Sequence, residues 1–254
     1  MNIIIKNKED IKKIREGGKI LAKIMTKAGK ILKPGISTFE IDEYVYKLIK
    51  ENDAFPAFLN YRPRGMKTAF PSSVCVSIND EIVHGIPNKN KILKEGDIVS
   101  LDIGLKYKGL YTDHAMTFPV GRISEVNKKL LEATKKALEI GIKAIKPNNT
   151  IGDIGYAIET FVNKRYGIVR DLAGHGVGKE IHEDPYVPNY GRAGSGEKLV
   201  PGMIIAIEPM LCLGTHQIEV DNDDWTVRTR DGKNSAHFEH TVLITKNKPE
   251  ILTK

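Results

Sequence analysis

Apolar positions along the chain alternate between helical spacing and continuous strand-like runs, and this alternation occurs twice. From about Asn7 to Leu32, the residues Ile11, Ile14, Leu21, Ile24, Met25, Ala28 and Ile31 keep to helical spacing and predict a long amphipathic helix. Lys33-Pro34-Gly35 ends it, because a proline supplies no N–H to the helical ladder. Ser37 and Glu40 then read as a capping box, the serine capping and the glutamate reaching back. Ile41, Tyr44, Val45, Leu48 and Ile49 give a second helix one apolar face.

The second half repeats the scheme. A helix is predicted from about Glu125, with Leu130, Leu131, Ala137, Leu138 and Ile142 on its apolar face, and Lys146-Pro147-Asn148 ends it. Thr150 and Asp153 form a second capping box, and Ile154, Ala157, Ile158, Phe161 and Val162 follow, each 113 residues after its counterpart. Three further pairs keep the same order. His84-Gly-Ile-Pro87 is echoed by His182-Glu-Asp-Pro185. The segment Leu93–Asp102 is echoed by Leu199–Glu208. Asp113-His114 heads one apolar strand, and Glu239-His240 heads another. Loop insertions account for the drifting offsets. Four pairs in register predict two α/β halves related by a pseudo-twofold axis, about 7–122 and 123–254, in one domain spanning 1–254.

Composition narrows the class. The chain has 254 residues, 41% hydrophobic and 28% charged, which excludes disordered and collagen-like chains. Two cysteines, Cys75 and Cys212, cannot build a disulfide framework. The net charge of +7 comes from 39 basic and 32 acidic residues spread along the chain, not concentrated in a stripe, so no specific nucleic-acid partner is expected. The most basic short stretches, Lys6–Lys13 and Lys128–Lys136, read as solvated helix faces. No run approaches the roughly 20 apolar residues of a membrane span, and the N-terminal apolar run is too short for a signal peptide. A cytoplasmic protein with no membrane partner is expected.

The repeat concentrates the chemistry. Asp102 lies within the apolar run Ile98–Ile103, and Glu208 ends the run Ile204–Ile207. Burying an ionised carboxylate costs free energy unless a cation or strong donors compensate. Singly, each acid reads as well as half of a structural salt bridge. Asp113 follows Asp102 across a hairpin turned at Lys106–Gly109, and Glu208 and Glu239 are the repeat counterparts. Equivalent strands meet near a pseudo-twofold axis, so four carboxylates converge there. Their mutual repulsion raises their pKa values or pushes the site apart, and a pair of divalent ions removes the conflict. Asp171–Gly178 places His175 between glycines, either as a flexible loop or as a ligand held close to the crowded site; a phosphate-binding loop is a weaker reading. Four carboxylates with one imidazole favour Mn, Fe, Co or Zn over thiolate-type metals. His84 and His182 read either as loop histidines or as a pair flanking the metals and donating hydrogen bonds to substrate.

The segments Val83-His84-Gly-Ile-Pro87, Asp97–Asp102, Gly174-His-Gly-Val-Gly178, His182-Glu-Asp-Pro185, Ile207-Glu-Pro-Met210 and Phe238-Glu-His-Thr241, in this order, resemble the type I methionine aminopeptidases over nearly the whole chain. The resemblance implies the α+β pita-bread fold, with a curved antiparallel sheet and outer helices around two divalent metal ions. It implies Asp102, Asp113, His175, Glu208 and Glu239 as metal ligands, and His84, His182 and Glu208 as catalytic groups. His84 and His182 would also touch substrate, and Cys75, Phe70 and Trp225 match positions around the methionine pocket. The implied reaction is hydrolytic removal of an N-terminal methionine from peptides and nascent chains, with a small second residue, by a monomer. The positive charge suits work near the ribosome. Two features depart from the pattern. Ile181 stands where relatives often carry Phe, and Phe55–Thr68 is longer than usual, leaving Phe58, Tyr61 and Met66 as candidate pocket residues. The rival enzyme reading is an Xaa-Pro peptidase of the same fold, whose extra N-terminal domain has no counterpart before the first helix here. Type II enzymes carry a late insertion, and only 25 residues separate His182 from Glu208. A non-enzymatic binding protein on this scaffold would have lost ligands, and all five positions are present.

Overall fold

A computed structural model describes residues 3–63 and 65–254. Among the described residues, four helices cover the outside: α1 (Lys8–Ile31), α2 (Thr38–Lys50), α3 (Glu125–Lys143) and α4 (Ile151–Val162). Their ends are where the capping residues put them. Ser37 Oγ accepts from Glu40 N at 3.1 Å while the Glu40 carboxylate takes the Ser37 N–H at 2.8 Å. At the start of α4, Asp153 takes both the Thr150 N–H and its hydroxyl, at 2.7 and 2.8 Å.

In the first half, α1 and α2 bury Leu21, Ile24, Met25, Ile41, Val45 and Ile49 against a four-stranded sheet. That sheet is dominated by a hairpin of two ten-residue strands, Ile98–Tyr107 and Leu110–Pro119, flanked by Cys75–Ile78 and Phe55–Pro56. Strand alternation sorts the hairpin's side chains. Val99, Leu101, Ile103 and Leu105 face the helices. Ser100, Asp102 and Gly104 therefore face the other way, across from Thr117, Ala115 and Asp113. Asp113 lies inside its strand and does not head it; pairing begins three residues earlier, at Leu110.

The second half is built likewise but with shorter strands. Leu130, Leu138, Ile142, Ile154, Ile158 and Val162 of α3 and α4 pack on Ile205, Ile207, Leu211 and Val242. Its five-stranded sheet has the order Glu250–Ile251, His240–Leu243, Ile204–Ile207, Gly174–Gly176, Glu183–Val187. This is the two-half, helix-outside architecture the repeat predicts.

Hydroxyls stitch the halves together at their inner strands. Thr241 Oγ1 accepts from Asp113 N at 2.9 Å and donates to Asp113 O at 2.7 Å. Thr117 Oγ1 does the same to His237, at 2.9 Å for each bond. The N–H of Glu239 bonds Ala115 O at 2.9 Å. Lys6 departs from the surface reading: it precedes α1, is only 4% exposed, and pairs with Glu183 at 2.5 Å.

Candidate functional site

The stitched seam forms the floor of a cavity of about 170 Å³. All ten residues singled out from the sequence line it: Asp102, Asp113, His175, Glu208 and Glu239 on the floor, with His84, His182, Cys75, Phe70 and Trp225 around them. The carboxylates arrive by two local devices, one for each half. Asp102 and Asp113 are diagonal neighbours on one face of the long hairpin, because Asp102 pairs with Ala115 and Asp113 with Gly104. Gly104 is needed at that position: a Cβ there would lie 2.7 Å from the Phe58 ring, which forms part of the wall. Glu208 follows the strand Ile204–Ile207, and Glu239 precedes the strand His240–Leu243.

His175 is on a strand, not in a flexible loop. Gly174–Gly176 pairs with Glu183–Val187 and with Ile205. The flanking glycines serve close approach: Cβ atoms on Gly174 and Gly176 would sit 2.2 Å from the Ala206 and Asp184 carbonyl oxygens. His175 Nδ1 donates to Gly176 O at 2.9 Å, because a carbonyl can only accept. Its Nε2 lone pair then faces Glu208 Oε1, 3.5 Å away.

The electrostatics are those of a site made for cations. Asp102, Asp113, Glu208 and Glu239 all have raised pKa values, Asp102 to about 6 and Glu208 to about 8, with burial the leading cause and mutual repulsion adding at Asp102, Asp113 and Glu239. No lysine or arginine is recorded paired with any of the four among the described residues. Asp102 Oδ1 and Glu239 Oε1 are buried with no hydrogen-bond partner. Orphaned buried oxygens of this kind call for an explanation. Potential ligand atoms within 4.8 Å of one another come from three overlapping sets: Asp102, Asp113 and Glu239; His175, Glu208 and Glu239; Asp113, His175 and His182. This cluster of acidic and histidine residues fits divalent metal, and carboxylate-rich sites with an imidazole suit first-row ions.

The walls are apolar. Cys75 pairs with Asp102 across neighbouring strands, and burial pushes its thiol well above the ordinary range, so it stays neutral. Trp225 packs edge-on against Phe70 at 5.2 Å and against His84 at 6.1 Å between ring centroids. His84 holds φ at +58°, a left-handed backbone uncommon outside glycine. Such strain tends to collect at functional positions. Tyr61 and Phe58 from the long segment line the cavity, Met66 packs behind it, and Arg64 lies outside the described residues. Ile181 is buried beside the wall residues.

Sequence reasoning missed His237. It is 1% exposed, with Nε2 3.5 Å from Glu208 Oε2 and neither ring nitrogen hydrogen-bonded. Its signal was the two-residue spacing His237, Glu239, Thr241, which puts all three on one face of an extended chain.

The profile of metallopeptidase family M24 matches residues 12–246. The chain belongs to this family. It is 46% identical to a methionine aminopeptidase of Clostridium acetobutylicum, over 99% of this chain and 98% of that one. A methionine aminopeptidase 1 of Bacillus subtilis is 45% identical, covering 99% of each chain. Among solved structures, methionine aminopeptidase from Rickettsia prowazekii superposes with a TM-score of 0.95 at 39% identity, covering 100% of both chains. A prolidase from Pyrococcus furiosus shares the pita-bread fold at a TM-score of 0.76 and 26% identity, but this chain covers only 65% of it. The chain is accordingly a methionine aminopeptidase-type metallopeptidase, an enzyme of the hydrolase class.

Proposed function

We propose that the chain hydrolyses the peptide bond that follows an N-terminal methionine, acting on peptides and nascent chains with a small second residue. The observation that carries this reading is the conjunction, in one cavity, of an apolar wall with a buried carboxylate cluster that has no recorded lysine or arginine partner among the described residues. The two halves, about 7–122 and 123–254, act as one catalytic unit. Asp102, Asp113, His175, Glu208 and Glu239 would hold two divalent ions, of Mn, Fe, Co or Zn. When bound, these ions polarise the scissile carbonyl and acidify the attacking water.

The remaining work falls to the side chains. Glu208 stands at the edge of the cluster with its side chain 12% exposed, open enough to reach a reacting water. It takes the water's proton and delivers it to the leaving amine. His182 donates a hydrogen bond to the carbonyl oxygen as negative charge grows there. His84, held in its strained turn, hydrogen-bonds the peptide near the departing nitrogen. Phe70, Trp225 and the neutral thiol of Cys75 receive the methionine side chain, whose polarisable thioether suits aromatic and sulfur neighbours. The enzyme works as a cytoplasmic monomer, and its positive charge suits a site near the ribosome.

Hydrolysis of Met-Ala-Ser against Ala-Pro peptides, with and without chelator, tests the assignment. Metal-dependent release of methionine from the first substrate is expected. Preference for the Ala-Pro peptide would instead support an Xaa-Pro peptidase.

A further inference from the structure

Two histidines face the same cavity, and their partners on the protein side are of opposite kinds. His175 Nδ1 meets a backbone carbonyl, which only accepts. His182 Nδ1 meets the hydroxyl of Tyr61 at 2.7 Å. A phenol is a stronger acid than a neutral imidazole N–H, and an imidazole nitrogen is a stronger base than a phenol oxygen. The O–H of Tyr61 therefore donates to His182 Nδ1. Burial, with the charge of Glu180, holds the Tyr61 pKa above its ordinary value, so the phenol keeps the proton it needs to donate.

We propose that Tyr61 is the positioning residue for His182, fixing the ring so that its proton sits on Nε2 and the histidine serves as a donor and not as a metal ligand. This rests on the reading of His182 as the group that hydrogen-bonds the reacting carbonyl. It also resolves an ambiguity in the cluster. Ring nitrogens of both histidines lie within 4.8 Å of each other and of an Asp113 oxygen, so distance alone qualifies either as a ligand. Their partners separate them: His175 presents a lone pair, and His182 presents an N–H.

Among the described residues, the bond to Tyr61 is the one hydrogen bond recorded for the His182 ring. The backbone next to His182 is already anchored, since Glu183 is buried against Lys6 and also accepts from the N–H groups of Lys179 and Glu180 at 2.5 and 3.0 Å. These contacts hold the chain but not the rotation of the imidazole. The ring itself touches His175, at 4.4 Å between centroids, and Tyr61, at 5.2 Å. Tyr61 is fixed in turn to the pocket wall. Its carbonyl accepts from Phe70 N at 2.8 Å, and Phe70 O accepts from Asn60 N at 2.9 Å. The segment Phe55–Thr68 thus ties the apolar wall to His182.

The test is a double-mutant cycle on the metal-loaded full chain with Met-Ala-Ser as substrate. Tyr61→Phe is expected to lower kcat by ~10-fold, the lower end of what outer-shell partners contribute, with KM and metal affinity unchanged. In a His182→Ala background the same substitution is expected to have no further effect. Ring-nitrogen NMR of isotope-labelled histidine is expected to give the Nε2–H form for His182 in the wild type and a tautomer mixture in Tyr61→Phe. An unchanged kcat in Tyr61→Phe, an equal loss in the His182→Ala background, or an Nδ1–H wild type would each overturn the inference. If His182→Ala alone is fully active, the role of His182 fails first. If that variant is slow while Tyr61→Phe is not, only the role of Tyr61 fails.

Discussion

The two halves of the molecule carry the same pair of acids on unequal supports. In the first half, Asp102 and Asp113 lie inside a hairpin of ten-residue strands, so ladder pairing continues before and after each of them along its strand. In the second, Glu208 and Glu239 lie just beyond four-residue strands. The acid with the shorter side chain stands on the longer support. The acid with the extra rotatable bond stands at a strand end, and only that half adds His175, His182 and His237. The comparison teaches a division of labour. On the proposed roles, the first half gives a rigid pair of carboxylates and the substrate-facing His84, and the second gives reach, a nitrogen ligand and the groups that move protons.

Substitutions across the halves test that division. The largest effect is expected from Asp113→Asn, which removes a carboxylate from the centre of the seam. Metal affinity should fall by more than ~100-fold, beyond what outer-shell changes cost, as read by chelator competition, and activity should fall with it. Glu208→Gln should lower kcat by ~10³-fold, the range of a lost general base, while leaving more of the metal bound than Asp113→Asn does. Equal metal loss in the two variants would erase the distinction between holding and reacting halves. His182→Ala should reduce kcat by ~10²-fold, the scale of a lost oxyanion donor, at unchanged metal stoichiometry. Loss of metal in that variant would make His182 a ligand.

A smaller effect concerns stability in the absence of metal. The raised pKa of Glu208, about 8 against an ordinary 4.5, means that the folded state binds a proton that the unfolded state has released. Stability from this group is complete at low pH and is lost as pH rises through the folded value. The lowered histidines work in the opposite sense: His84 and His175 at about 4 and His182 at about 3 weaken the fold as pH falls below their ordinary value of 6.5. Of these carboxyl and histidine groups, only the carboxyls still titrate in the folded state above about pH 7. Metal-free protein should therefore lose about 1 kcal/mol between about pH 7 and 8 from Glu208 alone, measured by urea unfolding. Saturating divalent metal should flatten that slope, because it stabilises the ionised carboxylates.

Local signals made much of this legible in the sequence. Capping boxes, helical stripes and terminating prolines act over a few residues, so Ser37, Glu40, Thr150 and Asp153 marked helix starts that the structure keeps. The carboxylates stood out because an acid in an apolar strand breaks the burial rule, and the repeat then paired them. What stayed hidden depends on distant partners. Lys6 reads as one of several surface lysines until Glu183 is brought to it from the other half. His237 sits in an ordinary-looking strand, and becomes conspicuous only when Met210–Cys212 pairs beside it and Glu208 approaches. The glycines around His175 leave two readings open, a flexible loop or a histidine held close to the site, since composition alone does not distinguish conformational freedom from close strand approach.

Calorimetric titration of metal-free protein with Mn²⁺ or Co²⁺ tests the central claim most directly, because that claim is that acids from both halves together hold the ions. The account predicts two ions per chain in the wild type, with binding weakened both by Asp102→Asn from the first half and by Glu239→Gln from the second. Binding that survives either substitution unchanged, or a wild type that binds no divalent ion, would contradict it.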